Sequence, residues 1–185
     1  MTGSLVKGGN TVLTSGGHQP RAVSVGVRWA NSSADIDLCA LLCAHDRKVV
    51  SDLHFLFWDN PQSPQLDAFV LGVRPGQPSP REDRAQCLLN LEALPSQTTN
   101  VFVSLSTIVE GASLVDLGQV ELRVVDVDTG EVITRYTRPS GYAEETCVVL
   151  AEVYRHKGAW KLRIIDQGYA GGLAALGRDY GVDIA

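Results

Sequence analysis

No stretch of the 185-residue chain comes near the roughly 20 consecutive apolar residues that a membrane helix needs. The opening segment, MTGSLVKGGN, also lacks the apolar heart of a secretion signal, so a cytoplasmic protein is expected. Basic charge is in short supply: 16 Lys and Arg stand against 21 Asp and Glu, a net charge of −5. General nucleic-acid binding needs basic surface to displace counterions, so no nucleic-acid partner is expected. A mild acid excess is compatible with a cation as ligand. Cys-x-x-Cys is missing and the four histidines lie far apart, which argues against a zinc site. Gly-x-Ser-x-Gly, His-Glu-x-x-His, Gly-x4-Gly-Lys-Ser and a strand-linked Gly-x-Gly-x-x-Gly are all absent, and with them the usual signatures of serine hydrolases, zinc proteases and nucleotide-binding enzymes. No internal repeat is evident.

What is present is ordinary globular composition, 44% hydrophobic and 20% charged, in a length that suits a single domain over residues 1–185. The dominant pattern is short alternating runs. In AVSVGVRW, Val23, Val25, Val27 and Trp29 share one face, while Ala22, Ser24, Gly26 and Arg28 share the other. The same alternation marks VFVSLSTIV at 101–109, QVELRV at 119–124 and WKLRI at 160–164. Further strands are expected at Asp37–Ala44, Leu53–Trp58, Phe69–Val73, Cys87–Leu91, Val132–Tyr136 and Thr146–Arg155. Asp128-Thr129-Gly130 and His156-Lys157-Gly158-Ala159 read as hairpin turns. About ten short strands spaced by turns predict an all-β fold, a two-sheet antiparallel β-sandwich or a barrel. One short C-terminal helix is expected, since Leu173, Leu176 and Tyr180 follow helical spacing and Gly181 suits its C-terminal cap. Cys39, Cys43, Cys87 and Cys147 lie in apolar stretches and read as buried thiols of a reducing compartment. Residues 59–86 hold five of the eight prolines and read as surface loop interrupted by one brief strand.

Candidate chemistry rests on acids. Asp35 and Asp37 stand directly before the uncharged run Leu38–Ala44, and a carboxylate entering such a place must find a partner. Calcium takes six to eight oxygens from loops that converge in space. Glu82 and Asp83 in the long loop are candidates to join the pair, with Asp59 and Asn60 as further contributors. Asp128-Thr129-Gly130 resembles the catalytic turn of aspartic proteases, but such enzymes need two carboxylates and only one copy occurs, so a hydrolase using Asp128 is the lesser reading beside a hairpin turn. The glycines of GYAGG at 168–172 read as a helix entry rather than as a phosphate cradle.

Several stretches together resemble the tellurium-resistance TerD family. They are Leu5-Val6-Lys7-Gly8 with Leu13, then Val25-Gly26-Val27-Arg28-Trp29 followed by Asp35-Ile36-Asp37-Leu38, then Phe55-Leu56-Phe57-Trp58-Asp59-Asn60. Near the end, Glu152-Val153-Tyr154-Arg155, Gly158-Ala159-Trp160-Lys161 and Gln167-Gly168 with Gly171-Gly172-Leu173 complete the series in the family's order. The resemblance implies a two-sheet β fold, calcium as the bound ion and a non-enzymatic binding or scaffold role in a bacterial response to tellurite and other chemical stress. It also implies partner proteins in a stress-response complex, with assembly near the inner membrane face through them. The family's acidic loop is degenerate here. In Gly72-Val73-Arg74-Pro75-Gly76-Gln77-Pro78-Ser79-Pro80-Arg81-Glu82-Asp83, Val73 and Arg74 replace an Asp and an Asn, and Arg81 replaces an acid. Fewer oxygens and added positive charge lower calcium affinity. Two expectations follow: Asp35 and Asp37 hold a weakened calcium, or they hold Arg74 or Arg81 as a bidentate ion pair and the site carries no metal. The balance favours the absence of a tight calcium site.

Overall fold

Each of the ten expected strands has a counterpart in the computed structural model, which describes residues 3–31, 34–72, 82–109 and 111–182. Two six-stranded sheets face each other. The first is ordered β1 (Gly3–Leu5), β10 (Val132–Arg138), β9 (Val120–Asp126), β3 (Ala22–Trp29), β7 (Ala85–Asn90) and β6 (Ala68–Gly72). The second is ordered β2 (Asn10–Val12), β12 (Ala159–Tyr169), β11 (Cys147–His156), β8 (Asn100–Thr107), β4 (Ile36–Cys43) and β5 (Phe55–Leu56). Every neighbouring pair is antiparallel except β1 with β10, which is parallel. The two extra strands, β1 and β2, have three residues each, too few for alternation to register in the sequence.

The alternation places the core. Val23, Val25 and Val27 on β3 meet Leu122 and Val124 on β9, and across the gap Val101, Val103 and Leu105 on β8 and Leu162 and Ile164 on β12. A second apolar layer lies on the other face of the second sheet, where Cys39, Leu41, Phe102 and Val149 are covered by Leu176 and Tyr180. These last two belong to or follow α1 (Gly172–Asp179). Strand β4 is therefore buried on both faces, which is why Leu38–Ala44 carries no polar alternation. Gly181 takes φ +81° and donates its amide to the Arg178 carbonyl at 3.2 Å, closing the helix as expected. All four cysteines are free and buried, and burial pushes the Cys43, Cys87 and Cys147 thiols up to about 12.

One strand is shorter than expected. The segment 53–58 becomes a 3-10 turn at Asp52–His54 and only two strand residues, Phe55–Leu56. The cause is Asn60, whose side-chain amide donates to the Phe55 carbonyl at 2.8 Å while Phe57 and Asn60 exchange backbone bonds at 3.1 Å. That tight turn carries the chain away from the sheet edge after Leu56.

Candidate functional site

Two carboxylates reach a cavity of about 390 Å³ at the entrance of β4. Asp37 lies on β4, on the face opposite Leu38, and Asp35 lies just before the strand. Leu38, Val70, Pro61, Trp58 and Ile108 complete much of the wall, and Gly72 stands at its edge. Three of the apolar side chains around it face solvent strongly: Trp58 is 67% exposed, Ile108 50% and Leu71 44%.

Asp37 is held without a cation among the described residues. Its Oδ2 accepts the Trp58 amide at 3.2 Å and the Cys39 thiol at 3.6 Å. Burial raises its pKa, and these two donors and the Leu38 amide only partly oppose that rise; the Asp35 charge adds to it. Among the described residues, this carboxylate has no positive charge to neutralise it. The pair of acids is suited to a hard cation, but among the described residues no group of three or more His, Cys, Asp and Glu surrounds any point. Two side-chain carboxylates fall short of the oxygens calcium takes, so backbone carbonyls and water would have to supply the rest. Among the described residues the donor set fits a weakly held ion and not a closed protein cage.

Glu82 and Asp83 do not join this cavity. They lie on the outer face of the first sheet, where Asp83 accepts two bonds from Arg123, from Nε at 2.8 Å and Nη2 at 3.0 Å. Gln86 donates to the same carboxylate at 3.0 Å, and Glu82 pairs with Arg123 as well. Gln86, Gly26 and Arg123 are register partners on β7, β3 and β9, so Asp83 lies directly over Gly26. A Cβ at Gly26 would stand 2.2 Å from Asp83 Oδ2. The glycine of Val25-Gly26-Val27-Arg28-Trp29 is thus a seat for a carboxylate. Arg74 and Arg81, the sequence's alternative partners for Asp35 and Asp37, lie outside the described residues. Asp59 and Asn60 do not line the cavity, and Asn60 is spent on the turn described above.

Asp128 sits where the hairpin reading puts it, in the turn between β9 and β10. Both of its oxygens accept from Arg21, at 2.9 and 3.0 Å, and those bonds hold its carboxyl below the usual carboxylate range. The pair is solvent-exposed and screened, so Asp128→Asn is expected to leave the melting temperature unchanged within error. A clear drop in a thermal melt would overturn that view of the turn.

Of the buried acids that went unnoticed as such in the sequence, two pair with arginines. Asp166, 3% exposed, takes φ +48° in a bulge of β12 opposite Leu150. It accepts from the Tyr136 and Tyr142 hydroxyls, each at 2.6 Å, and from Arg138 Nη1 at 2.8 Å. Burial alone would raise its pKa, but the three donors outweigh burial and hold the carboxyl below its ordinary value. Because Tyr136 is on the first sheet and Asp166 on the second, the cluster ties the two layers together. Glu152, fully buried on β11, accepts from Asn100 and pairs with Arg163. Glu152 is a single acid in the apolar run Cys147–Val153, and that isolation is the signal by which it could have been found; Asp166 stands among polar residues and carries no such signal.

The chain is similar to known proteins in sequence and in fold. The family model described as the TerD domain matches residues 1–180. A tellurium resistance protein TerD from Serratia marcescens is 32% identical over 192 residues, covering 99% of each chain. General stress protein 16U from Bacillus subtilis is 28% identical over 193 residues, covering all of both. Among solved structures, a homologue of a telluride resistance protein (TerD) from Streptomyces coelicolor superposes with a TM-score of 0.67 at 18% identity, over 89% of this chain and 99% of that one. That likeness speaks for the fold.

Proposed function

The chain belongs to the TerD family, and from that premise we propose that it is a non-enzymatic binding protein of a bacterial stress response whose working surface is the cavity at Asp35 and Asp37. Its relatives' names, tellurium resistance protein and general stress protein, support the setting; other proteins of a stress-response complex are the partners this reading expects. The single observation that carries the cavity's role is the Asp37 carboxylate, half-buried, beside a second acid, and short of positive charge. Asp35 and Asp37 would hold a calcium ion weakly, and the ion would supply the charge neutralisation that the Trp58 amide and Cys39 thiol leave incomplete. The non-enzymatic reading is supported by Asp128, the acid with a protease-like sequence context, whose two oxygens are engaged by Arg21.

Calcium binding of this kind has a calculable signature. With a Kd of about 1 mM, about 10 mM calcium stabilises the folded state by RT ln 11, about 1.4 kcal/mol. For a chain of this length that is a rise in melting temperature of about 3 to 5 °C after prior chelation. Asp37→Asn should abolish the rise. It should also melt above the wild type without calcium, because a carboxyl whose pKa is raised on folding opposes folding once ionised. A melting temperature indifferent to calcium removes the metal from this reading.

The exposed rim favours a second occupant of the same cavity, an arginine presented by a partner protein. A guanidinium can bond both carboxylates and lie against the Trp58 indole while neighbouring apolar residues cover Ile108 and Leu71. In that case the chain acts as a protein-interaction module without metal.

A further inference from the structure

A second cavity, of about 370 Å³, shares no lining residue with the first and has the opposite charge. Three cations from separate parts of the chain meet there: Lys7 after β1, Arg47 in the turn after β4, and Arg163 on β12. Each is positioned by the fold. The Lys7 ammonium donates to the Asp166 carbonyl at 2.8 Å. Arg47 takes φ +63°, and its guanidinium carbon lies 4.8 Å from the centre of the Phe102 ring. Arg163 is pinned by the buried Glu152 through Nε and Nη2, which leaves Nη1 for another acceptor.

Glu152 neutralises one of the three charges. Among the described residues neither Lys7 nor Arg47 is ion-paired with a carboxylate. The cavity therefore carries an excess of about two positive charges at its wall, in a chain whose net charge is −5. Tyr169 and Tyr180 line the same space, the Tyr180 hydroxyl being engaged by Arg47 and Tyr169, and Val149 and Ile165 add apolar wall.

We propose that this cavity binds a phosphate monoester carried on a small aromatic or apolar body. Such a group bears about −1.5 to −2 charge at neutral pH, which matches the excess, and its oxygens suit the guanidinium fork of Arg47 and the remaining edge of Arg163. A bare phosphate would leave the tyrosine and isoleucine surfaces wet, whereas an organic body would cover them. The volume lies in the range of small-molecule sites. The inference does not rest on the cation reading of the other cavity.

The test is calorimetric titration of the intact chain at low salt with phenyl phosphate, inorganic phosphate and phenol. Phenyl phosphate is expected to bind about tenfold more tightly than inorganic phosphate, and phenol not to bind. The double variant Lys7→Gln, Arg47→Gln should lose phenyl phosphate binding by about tenfold or more. Both residues are exposed, so the double variant is expected to fold with a cooperative melt no more than a few degrees below the wild type, which separates lost binding from lost folding. Equal affinity in the double variant overturns the proposal. So does phenyl phosphate no tighter than inorganic phosphate, which would mark an unspecific anion patch. Flotation with vesicles of phosphatidylcholine and phosphatidic acid completes the test: binding to vesicles without binding to phenyl phosphate would reassign the patch to a membrane surface.

Discussion

Asp166→Ala is expected to lower the melting temperature by about 10 °C, from a loss of about 3 kcal/mol spread over a chain of this length. The effect is large because of what the substitution leaves behind. Arg138 has a side chain 28% exposed and can turn to water. The Tyr136 and Tyr142 hydroxyls are buried and lose their acceptor, each at about 1 to 3 kcal/mol. Asparagine keeps one acceptor oxygen and tolerates the positive φ of this position better than alanine, so Asp166→Asn should fall between the two. The wild type and Asp166→Asn should also differ in a pH-dependent way. The Asp166 carboxyl is held low in the folded state, so its contribution is complete above the unfolded carboxylate pKa of about 4 and disappears as the pH falls through the lower folded value. At the alkaline end the signs reverse. Burial and the Asp166 bond raise both tyrosine pKa values, so their contribution is complete below about pH 10 and lost as the pH climbs through the folded values. Melts from pH 8 down to about pH 3 should show the two proteins converging at the acid end. A gap that stays constant would mean that the cluster is not an ionised acid held by three donors.

Gly26→Ala is expected to destabilise by about 2 to 3 kcal/mol, although alanine suits a strand better than glycine does. The added Cβ occupies the place of Asp83 Oδ2, and the carboxylate must swing out of reach of Arg123. Strand preference is worth well under 1 kcal/mol here, and the lost ion pair, with Asp83 only 3% exposed, outweighs it. In an Asp83→Ala background the same substitution should have little effect, within about 0.5 kcal/mol, because the contested space is empty. Chemical denaturation of the four proteins in that cycle decides the matter. If the two substitutions add independently, the glycine is not a seat for the carboxylate.

How far the sequence could be read depends on the distance over which each signal acts. Strand β3 announced itself because four residues on one face are apolar and the other face carries Ser24, Gly26 and Arg28. Strand β4 was harder, since both of its sides are covered and its run shows no period. Asp35 and Asp37 were legible as a pair, because two residues of spacing at a strand entrance brings them to one cavity. Glu82 and Asp83 were legible as acids but not as partners. Their destination is Arg123, some 40 positions further on, and nothing local in the chain points to it. The Asp166 cluster depends on a bulge and on a tyrosine from the opposite sheet, and neither leaves a mark on hydrophobic alternation.

The short leading strands have a consequence for how the molecule is made. Gly3 to Leu5 pair with Thr134 to Tyr136 in one layer, and Asn10 to Val12 pair with Lys161 to Arg163 in the other. A ribosome therefore releases residues 3–12 well before their partners exist. At typical synthesis rates the wait is on the order of 10 s. Through that interval β1 and β2 stay unpaired, and the nascent chain offers open strand edges. The clasp that finishes both layers is made before either of its partners and is among the last to settle.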